Sequence, residues 1–224
     1  VLPCYRPDAV VDPEFAGFAA NVAALGALTG EDTTGWAGYL AAHRARRAFF
    51  VARGATASDH GHATARTANL SPTEAEALHA RVMAGPVSAE EADLYRGQML
   101  TEFARMSLED GLVLQIHPGS LRNHSPWLFA RHGRDMGADI PTRTDYVRAL
   151  KPMLDVVGHE PGLTIILFTL DETSYARELG PLAGVYPALR LGPPWWFHDS
   201  PEGMRRFREM ATETAGFANT VGFN

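Results

Sequence analysis

One histidine of this chain stands directly after a short apolar run, where a buried strand would end. The run 112–116 contains a single polar residue, Gln115, a composition typical of a strand covered on both faces of a parallel sheet. It stops at His117, because Pro118-Gly119 cannot continue a strand without breaking its hydrogen-bond ladder. Ligands bind at this carboxyl end of the strands in α/β barrels and open α/β sheets. His117 is therefore interpreted either as a metal ligand or acid/base, or as a histidine that caps the strand through a hydrogen bond.

Polar and aromatic side chains also stand at the carboxyl ends of several predicted strands and in the loop after His117. The clusters are Arg6-Pro7-Asp8, Asp59-His60-Gly61-His62, Arg122-Asn123-His124 and Trp195-Trp196-Phe197-His198-Asp199. Their positions predict a ligand site at one end of a sheet.

The elements that must position these clusters alternate between strand and helix, which predicts a parallel sheet with right-handed crossovers. The predicted strands are residues 1–5, 55–58, 112–116, 163–169, 188–191 and 219–223. The predicted helices cover residues 13–28, 144–157 and 172–182, with others capped by Thr33 or Thr34, Ser71, Ser88 and Ser200 and a short helix or loop at 127–133.

The fold class that this order predicts is a TIM-type (β/α)₈ barrel of the α/β class. Six predicted strands are fewer than the eight of a complete barrel, and the strand pattern starts and stops abruptly. We therefore expect a barrel that lacks its first two strands and the end of its last. The expected organisation is one incomplete domain over residues 1–224 with a helical insertion around 66–110. A complete open doubly wound domain is the alternative, although no glycine-rich phosphate motif supports a nucleotide-binding version.

Composition excludes several functional classes. A hydrophobic fraction of 46%, a charged fraction of 21% and a net charge of −6 describe an ordinary globular protein and argue against nucleic-acid or anionic-membrane partners. The single cysteine, Cys4, excludes internal disulfides and a cysteine-rich zinc site within the chain, and it fits a cytoplasmic location. No apolar run approaches the roughly 20 residues that span a bilayer.

The four clusters resemble one family, the uronate isomerases (glucuronate isomerase), within the amidohydrolase superfamily of metal-dependent hydrolases. Tyr5-Arg6-Pro7-Asp8 resembles the family's Arg-Pro-Asp segment, and Ser58-Asp59-His60-Gly61 resembles its Asp-His-Gly segment. The run 115–123 is similar to the family's Gln-Leu-His-x-Gly-Ala-x-Arg-Asn segment, and residues 195–199 with Gly203-Met204 are similar to its Trp-Trp-Phe-Asn-Asp and Gly-Met segments. The matches occur in family order along the whole chain.

The chain departs from the family pattern at Pro118, Ser120, His124 and His198, none of which is assigned to chemistry. The resemblance implies a His-x-His metal motif before Val1 and an aspartate soon after Asn224. We therefore expect the main metal ligands to lie outside this chain, and the 224-residue piece alone to be inactive.

The resemblance implies an aldose–ketose isomerase that interconverts D-glucuronate with D-fructuronate and D-galacturonate with D-tagaturonate. It also implies a divalent metal, which we expect to be zinc, and leaves a homo-oligomer open. The implied role of His117 and His60 is acid/base catalysis, and His117 alone is open to metal contact. Asp59 would orient a histidine. The residues implied to bind the hexuronate are Arg6, Trp195, Arg122 and Asn123. Arg6 would hold the carboxylate, with an ion pair to Asp8 as its alternative role, and hydrogen bonds within the loop are the alternative for Arg122 and Asn123.

Two rival functions remain open. A hydrolase or decarboxylase of the same superfamily would use a lysine at a strand end, but Lys151, the only lysine, falls within a predicted helix. A non-catalytic sugar-acid-binding barrel is the other rival. Trp196 is predicted to lie in the core, while the choice between Trp195 and Trp196 as the ring that faces the site stays open. His62, His124 and His198 are predicted to be loop residues, and His43, His79, His132 and His159 surface residues.

Overall fold

The sheet that carries the predicted site has four short parallel strands. The computed structural model describes residues 2–222. The strands are β1 (Ala57–His60), β2 (Val113–Ile116), β5 (Ile165–Leu167) and β6 (Leu189–Leu191), and their spatial order follows their order in the chain. This arrangement confirms the four central predicted strands and their parallel pairing, although the first covers residues 57–60 rather than 55–58, so that Asp59 and His60 lie within it.

The two outer predicted strands are wrong in extent. On one side, only Tyr5 forms a parallel bridge, to Ser58, and on the other side only Thr220 does, to Leu191. On the first side, Pro3 has no N–H to give to a ladder. On the other side, Asn219 is the last residue of a 3₁₀ turn (Phe217–Asn219), and its side-chain amide donates 3.0 Å hydrogen bonds to the carbonyls of Ala183 and Ala215. Val1 and Phe223, the outer ends of these two predictions, lie outside the described residues.

Nine α-helices surround the sheet in residues 2–222. They are α1 (Asp8–Val11), α2 (Phe18–Thr29), α3 (Trp36–Val51), α4 (Pro72–Ala84), α5 (Ala89–Asp110), α6 (Pro126–His132), α7 (Val147–Val157), α8 (Gly180–Val185) and α9 (Pro201–Ala215). Ser71 and Ser88 form capping boxes as predicted, and Ser200 caps α9. The predicted caps of α3 are wrong: Gly35 precedes the helix, because the Thr33 hydroxyl donates to the Val22 carbonyl and the Thr34 hydroxyl to Asp32.

The predicted helix at 172–182 is broken into three pieces. A 3₁₀ turn (Glu172–Ser174) and a π-helical turn (Tyr175–Leu179) precede α8. Pro181 cannot donate a helical hydrogen bond, and Gly180 lies so close to α9 that a Cβ there would stand 2.5 Å from the Thr214 hydroxyl. Close packing against α9 therefore accompanies the change in helical register.

An excursion over residues 120–141 was not predicted beyond its short helix. Two-residue strands β3 (Ser120–Leu121) and β4 (Ile140–Pro141) pair antiparallel, with α6 between them. Strands this short leave no periodic pattern, since their partner is the only signal.

The segment 66–110 forms much of the helical layer beside the sheet. Helix α5 contacts β2, α3 and α7, and α4 contacts α3 and α5. Helix α5 thus lies in the crossover between β1 and β2; the single domain with an insertion around 66–110 stays a prediction. None of the helices in residues 2–222 combines the length and hydropathy that crossing a membrane requires.

A buried cluster of histidines and tyrosines shows that the surface prediction for His43 and His79 is wrong. Both are fully buried, whereas His132 and His159 are exposed as predicted. Nδ1 of His43 lies 2.7 Å from the Tyr5 hydroxyl, and Nδ1 of His79 lies 2.8 Å from the Tyr95 hydroxyl. Tyrosine hydroxyls supply the hydrogen bonds that let both rings enter the core.

The buried His43 predicts loss of stability in acid. Burial, with the charge of Arg47 adding to it, lowers the pKa of His43 from 6.5 to about 3. Because the unfolded chain then takes up the proton first, stability is complete above about pH 6.5 and falls as the pH drops toward 3. Because of His43, we expect the free energy of unfolding to fall by roughly 1.4 kcal/mol for each pH unit across that window.

Urea unfolding at pH 7, 5.5 and 4.5 measures this contribution. His43→Gln keeps an acceptor for Tyr5 and removes the titrating ring, so its unfolding free energy should fall less steeply than that of the wild type. His159→Gln, at an exposed histidine, should keep the wild-type slope. Parallel wild-type and His43→Gln curves would contradict the assignment.

Candidate active site

A cleft of about 660 Å³ opens at the carboxyl end of the parallel sheet. Each lining residue lies near the end of a strand or in the segment that follows it. The lining residues are Arg6, Asp59, Gln115, His117, Arg122, Phe168, Trp195, Trp196 and Asp199. The ladder continues just past the strands, because the amides of His117, Phe168 and Gly192 donate to the carbonyls of His60 (3.1 Å), Ile116 (2.9 Å) and Leu167 (2.8 Å). The sheet therefore fixes the backbone at the edge of the cleft.

The carboxylate of Asp59 joins two of the predicted site residues. Nε2 of His117 lies 2.9 Å from Oδ1 and 3.0 Å from Oδ2 of Asp59, and Nη1 of Arg6 lies 3.5 Å from Oδ2. A carboxylate only accepts hydrogen bonds, so Nε2 of His117 carries the proton. Its Nδ1 is buried and has no partner among the described residues. The Asp59 carboxylate therefore fixes the orientation of the His117 ring at the edge of the cleft.

Arg6 is flanked by two carboxylates. Its Nε donates to Oδ2 of Asp8 at 2.8 Å, and its side chain remains 49% exposed, enough to meet a ligand. Partial burial acts against the charged form, but the hydrogen bond and charge of Asp8, with the charge of Asp59, outweigh it and raise the pKa of Arg6. The ion pair with Asp8 is thus present, and it leaves part of the guanidinium open to the cleft.

Aromatic rings form one wall of the cleft. The Trp195 ring lies edge-on to His117 at 5.2 Å, and the Trp195 Nε1 is buried without a partner in residues 2–222. The prediction that Trp196 is a core residue is wrong, since it is only partly buried and lines the cleft. Left-handed backbone at Trp196 (φ 28°) and Phe197 (φ 76°) makes the turn that exposes both rings.

Arg122 reaches the cleft from the excursion over residues 120–141, whereas Asn123 does not line it. Nη1 of Arg122 donates to Oδ2 of Asp139 at 3.2 Å, and its guanidinium lies 5.8 Å from the Trp196 ring. Asn123 has φ 53°; its backbone N–H donates to Oδ1 of Asp139 at 2.6 Å, and its side-chain oxygen accepts from the amide of Asp135. These contacts match the hydrogen bonding within the loop that was the alternative interpretation.

His60 lies beneath the cleft rather than on its lining. It is fully buried, its Nε2 lies 3.1 Å from the Ser58 hydroxyl, and its ring packs 4.6 Å from Phe103. Burial, with the neighbouring His62 adding to it, lowers the pKa of His60 far below 6.5. His62 occupies a loop as predicted but is buried as well, and burial lowers its pKa to about 4. Both rings are therefore neutral at pH 7.

Besides Trp196, three lining residues were not assigned to the site from the sequence: Gln115, Phe168 and Asp199. Gln115 carried a signal, because it is the one polar residue in an apolar run, and Asp199 belonged to a recognised cluster. Phe168 gave none, since an aromatic residue at the end of an apolar run is typical of a core.

The donor atoms of this cleft do not by themselves form a metal site. Within residues 2–222, no three His, Cys, Asp or Glu side chains are placed to hold a metal ion. The pair Asp59–His117 comes nearest, but its carboxylate already accepts from Nε2. That the principal ligands lie outside this chain stays a prediction.

Comparison with known proteins assigns the chain to a family. The model of the glucuronate isomerase family matches residues 1–224. The chain belongs to the glucuronate isomerase family. It is 70% identical over 224 residues to the uronate isomerase of Rhizobium meliloti, covering 100% of this chain and 48% of that relative.

Solved structures of this family share the fold. The crystal structure of glucuronate isomerase from Caulobacter crescentus has 62% identity and a TM-score of 0.97, with 100% of this chain and 47% of that chain covered. Uronate isomerase from Thermotoga maritima has 30% identity and a TM-score of 0.91, with 99% and 49% covered. The predicted amidohydrolase-like barrel class is confirmed, and in residues 2–222 its strands form an open parallel sheet. The chain spans about half the length of the curated relatives it matches.

Gly61 lies close to the side chains of His117 and Arg6, and a substitution there tests how these side chains pack at the cleft. A Cβ at this position would lie 2.6 Å from Cε1 of His117 and 2.9 Å from Nη2 of Arg6. Gly61→Ala should displace both side chains and destabilise the protein by about 1–3 kcal/mol, as overpacking does. Denaturant unfolding and a crystal structure of the variant measure the two effects. Gly162→Ala is the matched control, since its Cβ would meet only Leu108 at 3.8 Å; unchanged His117 and Arg6 positions in Gly61→Ala would disprove the packing argument.

Proposed function

We propose that the whole protein is an aldose–ketose isomerase of hexuronates, converting D-glucuronate to D-fructuronate and D-galacturonate to D-tagaturonate. The observation that carries the proposal is the match of all 224 residues, at 70% identity, to a protein named uronate isomerase. The cleft supports it, because a histidine, two carboxylates and two guanidinium groups face one space. A hexuronate presents hydroxyls, a carbonyl and a carboxylate to such groups.

The reaction moves a proton between C2 and C1 of the open-chain sugar acid. It needs a group that accepts and returns a proton and a donor that stabilises the enediolate oxygen. His117 is our candidate for the proton transfer, because it lines the cleft and the hydrogen bond from its Nε2–H to the Asp59 carboxylate orients its ring. His60 is a weaker candidate than its motif suggested: it is buried, neutral and absent from the lining of the cleft.

Two guanidinium groups are available for the substrate carboxylate. Arg6 is our candidate, since a planar guanidinium binds a carboxylate bidentately and half of this one is exposed. Arg122 is our candidate for sugar hydroxyls, and it has a single carboxylate partner, Asp139. Trp195 offers an apolar face to the sugar. Asn123 is proposed to act on the sugar only through the loop that carries Arg122.

The fold of the family is consistent with a divalent metal ion. We propose zinc, with principal ligands outside residues 2–222; when bound, it would supply Lewis-acid stabilisation of substrate oxygens. Since the described donor set is incomplete, we derive no step through it. A cytoplasmic location and a homo-oligomer also remain proposals.

One observation favours the isomerase over a lysine-dependent hydrolase or decarboxylase of the same superfamily. The Lys151 ammonium lies on α7, is 65% exposed and pairs with Asp155 at 2.7 Å. It does not line the cleft. A non-catalytic sugar-acid-binding barrel differs from the isomerase only in turnover, so an assay with D-glucuronate separates the two.

Arg6→Ala tests the carboxylate role in the full-length protein. We expect kcat/KM for D-glucuronate to fall by ~100-fold or more, because hydrogen bonds to charged groups contribute ~1.5–3 kcal/mol each. Arg205→Ala, which removes a 64% exposed arginine of α9, should leave the rate unchanged. Wild-type rates for Arg6→Ala, or a loss confined to Arg122→Ala, would move the carboxylate away from Arg6.

His117→Gln tests proton transfer. Loss of a general acid/base costs typically 10²–10⁴-fold, so we expect kcat to fall by about that factor with little change in KM. Asp59→Asn should also lower kcat, because an amide no longer enforces the Nε2–H tautomer. The control is His132→Gln, at an exposed histidine at the end of α6. A wild-type kcat in His117→Gln would exclude His117 from the proton transfer.

A further inference from the structure

A buried arginine of α5 holds the chain segment that follows α1. The side chain of Arg96 is only 6% exposed, and its Nη1 donates to Oδ1 of Asp12 at 2.6 Å and to Oε2 of Glu14 at 2.8 Å. Its Nη2 lies 3.5 Å from Oδ1 of Asp93. A buried guanidinium is expensive to desolvate unless carboxylates surround it. Arg96 therefore ties α5 to Asp12 and Glu14.

That segment is one helical turn away from Arg6. The N–H of Asp12 donates to the carbonyl of Asp8 at 2.9 Å and closes the short helix α1. The side chain of Asp8 accepts from Nε of Arg6 at 2.8 Å through Oδ2 and from the amide of Gly61 at 3.3 Å through Oδ1. A displacement of Asp12 would thus reach the carboxylate that orients the Arg6 guanidinium.

Two neutral hydrogen bonds hold the middle of α1, and Val11 at its carboxyl end is buried in the core. The side-chain amide of Asn21 donates to the Ala9 carbonyl at 3.0 Å, and the Tyr39 hydroxyl donates to the Val10 carbonyl at 2.7 Å. Arg96 alone among these three contacts the segment that directly follows the carboxyl end of α1. A helix of four residues has too few internal hydrogen bonds to keep its shape unaided.

We propose that Arg96 is a positioning residue for Arg6: through Asp12 and the single turn of α1, it fixes Asp8 and hence the guanidinium at the cleft. The inference rests on the proposed role of Arg6 in binding the hexuronate carboxylate. Arg96 does not line the cleft, so its effect on the substrate passes through Arg6.

A double-mutant cycle in the full-length protein tests this coupling. Kinetics with D-glucuronate are measured for the wild type, Arg96→Gln, Arg6→Ala and the double variant. Small displacements of a binding group can cost up to about 100-fold, so we expect Arg96→Gln to raise KM by roughly tenfold with kcat within about twofold. In the Arg6→Ala background, the same change should alter kcat/KM by less than about twofold, because residues that act through one another are not additive.

The controls separate positioning from general destabilisation. Arg105→Gln removes another arginine of α5, which pairs with Glu102 at 2.6 Å and with Asn69 away from α1, and it should leave KM unchanged. Arg96→Lys keeps one charge and should restore part of the KM; if Arg96→Gln does not fold, Arg96→Lys enters the cycle in its place. An equal loss from the Arg96 variant in both Arg6 backgrounds, or an unchanged KM, overturns the proposal.

A crystal structure of the Arg96 variant keeps this inference distinct from the proposed function. If the wild-type protein does not turn over D-glucuronate, the proposed function fails, and the structure alone decides the inference. A displaced Arg6 guanidinium that has lost its 2.8 Å contact with Asp8 supports positioning by Arg96. An Arg6 in its wild-type place overturns it.

Discussion

The carboxylate of Asp59 is shared between His117 and Arg6, and the geometry of the cleft depends on that sharing. It exists because β1 and β2 pair in parallel with Asp59 opposite Gln115, two residues before His117 on the same face. A slip of one residue would turn Asp59 toward the opposite face of the sheet. One ionised group thereby sets the tautomer of a histidine and faces a guanidinium. The register of two short strands is thus a condition for the charge arrangement of the site.

The helical layer fixes the position of Tyr5, the residue directly before Arg6. Tyr5 forms a single bridge to β1, yet its ring is buried against Phe50 at 5.4 Å and Phe103 at 6.4 Å, and its hydroxyl meets His43. This aromatic packing replaces the strand hydrogen bonds that the edge of the sheet lacks. The functional cluster after Tyr5 is held by side chains, whereas the cluster after β2 is held mainly by backbone hydrogen bonds.

Local chemistry decides which features the sequence predicts. The clusters of Arg6, Asp59 and His117 were predictable because each stands at the carboxyl end of a predicted strand, and the strand direction then requires them to meet. The burial of His43 and His79 was not predictable, since it depends on tyrosine hydroxyls from distant segments. The same holds for the left-handed turn at Trp196, the loop role of Asn123 and the pairing of β3 with β4, all of which arise from tertiary contacts rather than from local composition.

The extra hydrogen bonds just beyond β2, β5 and β6 order one part of the site more than the rest. The conformational entropy that the protein loses on ligand binding therefore differs between these parts. The backbones of His117, Phe168 and Gly192 are already ordered by the sheet, so a ligand that meets them loses little freedom in the protein. Arg122 lies instead on the excursion over residues 120–141, whose ordered structure is a two-residue pair and one short helix. Most of the ordering cost of ligand binding therefore falls on that excursion. Affinity would then change more with the sequence of that segment than with the strands beneath the cleft.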